Sequence, residues 1–457
     1  MKPKSTEKIA QEELFRMHLD QMLNMNHELI KLSKLIDWDS LDQEWGAFFQ
    51  SDKGAPATRT RLIAGLHYLK HLYNLSDEQV VDRWVENPYY QYFCGEEFFQ
   101  HEVPIHPTSM TKWRNRLGKS GSEKLLIETI KAGIKSKTVK RSSLKRVTVD
   151  STVQEKNITF PTDSKLLNKA RENLVKLVVK FGLKLRQNYN RVGPYYVLMA
   201  SRYAHAKQFK RMKGMNKKLK SRLGRVVRDI ERQLDNYSFE VKEAFELGLS
   251  QAKQLMSQEQ DSKNKLYSLH APEVECISKG KAHKKYEFGV KASFAVTNKE
   301  GFALGALACP GNPYDGHTLD TQLQQVEQLT QEKVEECYVD RGYRGHGIED
   351  TKIYISGQKR GVNRRIKRLL KRRSAIEPEI GHMKNDGRLG RCYLYGELGD
   401  MLNVIMSAAG HNLRKILNKL RLFCGQILWL LFELSASIIV PQKLTEAGCK
   451  KIAISAS

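Results

Sequence analysis

Residues 146–152 have the sequence RVTVDST, in which apolar and polar side chains alternate as they do in a half-buried β-strand. The two valines fall on one side of this strand and Asp150 falls on the other. A second apolar stretch, VEECYVD at residues 334–340, also ends in an aspartate, Asp340. A carboxylate on a strand is held rigidly, as a metal site requires. Because a single strand-end aspartate more often caps a turn, neither residue predicts a site alone.

A third carboxylate lies in the basic stretch RRSAIEPEIGHMKNDGRLGR at residues 372–391. Glu377 follows Arg373 by four residues and precedes Lys384 by seven. Cations on both sides favour a carboxylate that anchors a metal over one that is merely solvated. Together with the two strand aspartates, in the order Asp, Asp, Glu, Glu377 predicts a catalytic carboxylate triad.

The neighbouring Glu379 is the alternative third carboxylate. At about 100° per residue, Lys384 falls within roughly 20° of Glu377 around a helix, and Arg373 within roughly 40°. Glu379 falls near the opposite face, which favours Glu377. Pro378 disfavours helical geometry at Glu377, so either the helix kinks here or it begins here with Pro378 at its first position.

Strands and helices alternate around these residues. Strand-like alternation recurs at residues 286–296, 302–309 and 352–356, and a helix is predicted from about 318 to 331. We therefore predict an α/β catalytic core, a mixed sheet flanked by helices, with an N-terminal all-α domain and a long helical insertion. The predicted domains are a helical DNA-binding domain at 1–118, a linker and first catalytic strand at 119–162, a helical insertion at 163–262, the remainder of the catalytic domain at 263–421, and a C-terminal apolar helix and tail at 422–457.

The N-terminal region has several helix-start signals. Asp37 and Ser40 are both candidate N-caps near Trp38. Ser40 with Gln43, and Ser76 with Gln79, each have the spacing of a capping box. A short helix is predicted from Thr108 to Leu117, with Gly118 as its stop; one face is apolar and the other carries Lys112, Arg114 and Arg116. This pattern resembles a helix-turn-helix reader of DNA, although many small helical domains have basic faces that touch nothing.

The charge balance predicts a polyanionic partner. The chain has 77 Lys and Arg against 51 Asp and Glu, a formal net charge of +26 over 457 residues. Such an excess favours nucleic acid, because neutralising phosphates releases condensed counterions. Eleven of the cations lie between Lys207 and Arg232, where either a solvated helix face or a DNA clamp explains them.

Cysteine usage and hydropathy bear on the compartment. The seven cysteines form no CxxC pair, which predicts reduced thiols and a cytoplasmic protein. The apolar segment 422–440 is interrupted by Gln426 and Glu433, so a buried helix is favoured over a membrane span, with peripheral membrane contact as a minor alternative. Two histidines in basic loops, His283 and His317, are left outside the predicted site.

Several stretches resemble one known family: VTVDSTVQEKNITFPTDSKLLNKA, LHAPEVECISKGKAHKKYEFGVKASFAV, NPYDGHTL, YVDRGYRG, RRSAIEPEIGHMKNDGRLGRCYL and GDMLNVIMSAAGHNLRKIL. The chain resembles a DDE transposase of the bacterial insertion sequence five family. The resemblance implies an RNase H-like catalytic fold, in which the three acids are Asp150, Asp340 and Glu377. It also implies Mg²⁺ as cofactor, with Mn²⁺ as a substitute, because two such ions held by carboxylates suit phosphodiester cleavage and strand transfer.

The partners expected from this resemblance are double-stranded DNA, both the element ends and the target, and further copies of the chain, as a homodimer or higher assembly on DNA at the bacterial nucleoid. The residues expected to contact DNA are Lys112, Arg114, Arg116, Arg341, Arg344, Arg373, Lys384 and Arg388. Two alternatives stay open: a catalytically inactive DNA-binding protein derived from a transposase, and a general RNase H-like nuclease.

Overall fold

The computed structural model describes residues 16–48, 57–259, 261–278 and 284–439, with side chains described up to residue 421. Seven strands in these ranges form one mixed sheet. The strands are β1 (Arg146–Lys156), β2 (Glu275–Ser278), β3 (Tyr286–Thr297), β4 (Ala303–Cys309), β5 (Glu336–Val339), β6 (Lys352–Ile355) and β7 (Arg391–Cys392).

The sheet has the order β2-β3-β1-β5-β6, with β4 also paired to β3 and β7 also paired to β1. β1 runs antiparallel to β3 and parallel to β5, and β5 runs parallel to β6. A mixed sheet with this central strand, flanked by helices, is compatible with an RNase H-like core. The sequence did not predict β2 and β7, which are four and two residues long and too short to show alternation.

The described N-terminal residues form helices and one isolated bridge between His18 and Phe98. The helices are α1 (Leu19–Met22), α2 (Glu28–Leu35), α3 (Trp38–Gly46), α4 (Thr60–Leu72), α5 (Asp77–Glu86), α6 (Pro88–Phe93) and α7 (Pro107–Lys135). The capping box at Ser76 is present at the start of α5. The one predicted at Ser40 is wrong, because Asp37 caps α3 by accepting the Ser40 N–H.

The predicted domain boundary at residue 118 is not a break between two packed units. Gly118, at φ 57°, interrupts the helical geometry inside α7, as its predicted stop position suggested, but the helix resumes and continues to Lys135. A single hydrophobic core joins the N-terminal helices to the sheet, with Trp45 and Trp113 at one end and Phe294 and Phe302 at the other. The N-terminal helices are thus packed onto the catalytic domain.

The predicted helical insertion contains four helices. They are α8 (Asp163–Phe181), α9 (Val192–His205), α10 (Phe209–Leu234) and α11 (Phe239–Ser257). Gly182 ends α8 in the left-handed conformation, at φ 72°. The insertion has a hydrophobic core of its own, formed by residues between Leu167 and Leu266.

The remaining helices are α12 (Asp315–Thr330), α13 (Arg364–Arg372), α14 (Ile376–Asp386) and α15 (Gly396–Ile439). The prediction that the 422–440 segment is buried against a core concerns side chains outside the described residues, as does the expectation for His283. Within the part of the chain that the structure describes, no helix is long and apolar enough to cross a bilayer.

Candidate active site

The two strand aspartates lie on neighbouring central strands. Asp150 is in the middle of β1, and Asp340 directly follows β5. The parallel register pairs Thr148 with Tyr338, so each aspartate lies two residues beyond a paired residue. Neighbouring strands are about 4.8 Å apart, so this register brings the two carboxylates side by side at one end of the β1–β5 pair.

Asp340 is fixed by the turn that follows it. Its Oδ1 accepts the backbone N–H of Gly342 at 2.8 Å and thereby caps a 3-10 turn, Arg341–Tyr343. The Asp150 Oδ1 accepts the N–H of Ser151 at 2.8 Å. Each aspartate therefore has one oxygen held by the backbone.

Glu377 is brought towards Asp150 by Arg373. Arg373 lies in a 3-10 turn between α13 and α14, and its guanidinium donates to Asp150 Oδ2 at 3.5 Å and to Glu377 Oε1 at 3.0 Å. The Glu377 side chain is 63% exposed, whereas that of Arg373 is 13% exposed. Glu377 thus lies at the solvent-exposed edge of the site, and Arg373 links it to the more buried Asp150.

Glu379 faces another part of the molecule. Its carboxylate lies 2.7 Å from Lys415 Nζ and 3.3 Å from His411 Nε2, both on α15. Pro378 is the third residue of α14, so the helix begins at this point and does not kink. This is the second of the two arrangements considered from the sequence, with Pro378 two positions further into the first turn.

The pKa of Asp150 reflects its burial first and the neighbouring charges second. Burial raises the pKa of Asp150 to about 6. The guanidinium of Arg373 and the Ser151 N–H lower this pKa, and the charges of Asp340 and Glu377 raise it. A cation placed among these groups would therefore be strongly stabilised.

A fourth carboxylate, Asp315, belongs to the same cluster. Asp315 Oδ1 accepts the Ser151 hydroxyl at 2.9 Å and lies 3.2 Å from Lys291 Nζ. A Cβ built on Gly342 would lie 3.0 Å from Asp340 Oδ1 and 3.3 Å from Asp315 Oδ2, so both acids border that glycine. Sequence reasoning missed Asp315; its only signal was its place in NPYDGHT, after an apolar strand.

The chemistry of the donors fits a hard divalent cation, because carboxylate oxygens are the ligands that Mg²⁺ prefers. The three carboxylates are too far apart to form a ligand set. Among the described residues, no group of three or more His, Cys, Asp or Glu is close enough together to hold a metal ion. Arg373 occupies the position between Asp150 and Glu377. Convergence of the three acids on a metal requires this guanidinium to move from between them.

The cations expected to contact DNA have different environments. Lys112 and Arg116 on α7 are exposed, as are Arg341 and Arg344 after β5. Lys384 and Arg388 are half-buried; Arg388 lies over the Tyr393 ring and donates to the Asn74 carbonyl at 3.4 Å.

Arg114 departs from the expectation of a solvent-facing basic residue. Its side chain is 8% exposed and forms a two-pronged ion pair with Asp77, at 2.9 and 2.6 Å. Asp77 also pairs with Lys70 at 2.8 Å. The prediction that Arg114 lies on a DNA-contacting face is wrong in this structure, because its guanidinium is buried. It pairs with Asp77 and thereby joins α5 to α7.

Comparison with known proteins defines the class to which this fold and site belong. The family model described as "Transposase domain (DUF772)" matches residues 17–116, and the model described as "Transposase DDE domain" matches residues 260–413. These matches show two transposase domains and support a DDE transposase, a class that typically uses a divalent metal. No solved structure matches it.

A relative in Rhizobium meliloti, "Uncharacterized protein ORF8 in nfe locus", is 50% identical over 197 residues. The alignment covers 43% of this chain and 95% of that protein.

Proposed function

We propose that this chain is an active transposase of the insertion sequence five family, which binds the terminal inverted repeats of its element, cleaves the DNA and joins the ends to target DNA. The single observation that carries the catalytic part is the placement of Asp150 and Asp340, each two residues beyond a paired position of the neighbouring parallel strands β1 and β5, with Glu377 linked to Asp150 through Arg373.

In this proposal, Asp150, Asp340 and Glu377 hold Mg²⁺, for which Mn²⁺ substitutes. When bound, the metal supplies positive charge that stabilises the attacking and leaving oxygens of the phosphodiester. Asp150 and Asp340 are pre-positioned by β1, β5 and the turn after β5, whereas Glu377 closes the site from α14. Arg373 holds the carboxylates together before DNA enters and then turns its guanidinium to a phosphate.

The exposed cations around the site supply the contacts to DNA. Arg341 is in the turn that positions Asp340, and Arg344 directly follows that turn. A phosphate bound by either arginine would therefore lie beside the carboxylates. The half-buried cations Lys384, on α14, and Arg388, two residues after that helix, extend this surface. Recognition of the repeats is assigned to the N-terminal helices, with Lys112 and Arg116 on the outer face of α7, and a homodimer or higher assembly pairs the two ends.

The test is cleavage of labelled duplexes that carry the element's ends, compared with duplexes in which the end sequence is shuffled, each with Mg²⁺ or with EDTA. We expect Mg²⁺-dependent cutting at the element ends only. Equal cutting of the shuffled duplex would identify a general nuclease. Binding of the ends without any cutting by the unaltered chain would identify an inactive DNA-binding protein.

A further inference from the structure

One stretch within the helical insertion carries most of the excess positive charge of the chain. Residues 173–228 contain 16 Lys and Arg and no Asp or Glu, so these 56 residues account for +16 of the net +26. The nearest acids in sequence are Glu172 before the stretch and Asp229 after it. A solvated helix surface ordinarily mixes both signs of charge, since unmixed like charges repel and favour a partner of opposite charge.

The geometry of α10 concentrates these charges on one face. At about 100° per residue, its buried apolar side chains fall within an arc of roughly 100°. These are Leu219, Leu223, Val226, Val227, Ile230 and Leu234. The exposed cations occupy the rest of the circumference, and we call them the α10 basic face: Lys210, Arg211, Lys213, Lys217, Lys218, Lys220, Arg225, Arg228 and Arg232.

The α10 basic face is almost unneutralised. Within the described residues, the one ion pair on this face joins Arg232 to Asp229 at 3.4 Å. Aromatic side chains support two of its members from below, with Lys218 over Tyr196 and Arg211 over Tyr203. Apart from Arg232, the described cations of this face are therefore held on a folded surface without an ion pair.

A pocket at the C-terminal half of this face is an independent sign of an anionic ligand. Its volume is about 320 Å³. It is lined by Arg186, Gln187, Tyr189, Arg225, Arg228, Asp229 and Arg232. Asp229, the only acid there, already accepts the backbone N–H of Arg186 at 2.8 Å. Four guanidiniums against one occupied carboxylate suit a phosphate group.

We propose that the α10 basic face is a second DNA-binding surface, which grips the backbone of duplex DNA and seats a phosphate in the four-arginine pocket. This inference rests on the proposed transposase function and adds to it a site distant in sequence from the predicted end-recognition helices. In this proposal the cations contact phosphates, which carry no sequence information, so the surface binds duplex DNA without sequence preference. It therefore holds flanking or target DNA and does not select the element ends.

The dimensions fit a duplex. From Lys210 to Arg228 the helix rises about 27 Å, at about 1.5 Å per residue. Duplex DNA advances about 3.4 Å per base pair and carries one charge per about 1.7 Å of axis, so this length matches roughly eight base pairs. An acidic protein segment would offer less regular charge over the same distance.

The test removes three cations from the centre of the face in the full chain, as K217Q/R225Q/R228Q. Binding to a random-sequence duplex of about 30 base pairs is measured in EDTA by fluorescence anisotropy over a series of salt concentrations. If all three residues contact phosphates, the log–log salt slope should fall by about 2.7, at about 0.9 per contact. The substitutions leave the buried face of α10 intact, and thermal melting verifies folding.

A matched control removes three cations that each have a carboxylate partner, as K124Q/K145Q/K253Q. These lysines pair with Glu44, Glu335 and Glu231 at 3.2, 2.9 and 2.6 Å. The control should keep the unaltered slope. An unchanged slope in the α10 variant, or an equal fall in the control, would overturn the proposal. So would a poly-glutamate peptide that competes as well as DNA of equal charge.

DNA binding by the α10 basic face and DNA cleavage by the carboxylate site are tested separately. Binding in EDTA does not depend on cleavage, and cleavage is tested with Asp150→Asn. If the α10 variant binds like the unaltered chain while Asp150→Asn stops cutting, the surface is wrong and the enzyme assignment stands. If the α10 variant loses binding while the unaltered chain never cuts, the surface stands and the enzyme assignment fails.

Discussion

Arg373 donates to the Asp150 carboxylate at 3.5 Å from a turn more than two hundred residues away in sequence. The same guanidinium binds Glu377 at 3.0 Å, so one cation lies between two of the acids that would hold a metal. Two carboxylates in a half-buried site repel each other unless a positive charge lies between them. Arg373 thus keeps the site assembled without metal. Metal binding would exchange this guanidinium for a metal cation.

Replacing either strand aspartate should separate cutting from binding. Asp150→Asn and Asp340→Asn each remove a metal ligand, so cleavage of the element ends should fall by more than the roughly 10–100-fold typical of groups behind the ligands. DNA binding should persist or tighten, because one charge that repels phosphate is gone. Gel-based cleavage and anisotropy measure the two effects, and cutting at the unaltered rate by either variant would end the metal assignment.

Glu377 and Glu379 should give opposite results. Glu377→Gln should abolish Mg²⁺-dependent cleavage with little effect on stability, since its side chain is 63% exposed. Glu379→Gln should lower the melting temperature, because it weakens the pairs with Lys415 and His411, but should leave cleavage largely intact. Loss of cleavage in the Glu379 variant alone would reverse the assignment of the third acid.

The raised pKa of Asp150, at about 6, predicts a pH dependence. A proton competes with metal for this carboxylate, so Mg²⁺-dependent cleavage should rise between about pH 5 and pH 7 and then level off. A folded-state pKa above the ordinary 3.8 means that the native state binds the proton more tightly. The resulting stabilisation is therefore present below about pH 4 and lost as the pH rises towards 6.

Asp150→Asn removes the free-energy cost of keeping a buried carboxylate ionised at neutral pH. In EDTA at pH 7 the variant should be more stable than the unaltered chain by up to about 3 kcal/mol, at about 1.4 kcal/mol per pKa unit. Denaturant unfolding at pH 4 and pH 7 measures the difference, which should shrink at the lower pH. A variant that is less stable at pH 7 would show that the pairing with Arg373 outweighs the cost of burial.

Asp315 should matter to cleavage although it lies outside the three-acid pattern. Asp315→Asn keeps the shape but weakens the pair with Lys291, and removes negative charge beside Asp340. We expect cleavage to fall about 10–100-fold, as for groups that support metal ligands, with a higher Mg²⁺ concentration needed for half-maximal rate. Ser151→Ala, which removes only the hydroxyl donor to Asp315, is the milder control. An unchanged Mg²⁺ requirement would contradict a role at the site.

The three cations predicted on one face of α7 should separate into two classes. Arg114→Ala should lower the free energy of unfolding by about 3 kcal/mol, because it leaves the half-buried Asp77 with Lys70 alone. Lys112→Gln with Arg116→Gln should instead reduce the salt slope of binding to the terminal repeats, by about 0.9 for each lost phosphate contact. A stable Arg114 variant with weakened DNA binding would restore the original expectation.

Much of the catalytic region follows from local sequence. The alternation around Asp150 and the apolar run before Asp340 predicted the two central strands, because the period of a strand depends only on nearby residues. Helical geometry separated Glu377 from Glu379 by face, and their contacts now differ as that separation predicted. The charge of the insertion was also visible, although its folding into four helices was not.

Tertiary packing alone decided the rest. Sequence periodicity distinguishes an apolar face from a polar one, but it cannot say which polar side chains meet a distant partner. Arg114 meets Asp77 and is buried, whereas Lys112 on the same helix stays exposed. Asp315 joins the active site only because α12 starts beside β1 and the turn after β5. Such long-range pairs are fixed by the packing of helices and strands that are distant in sequence, which no local pattern encodes.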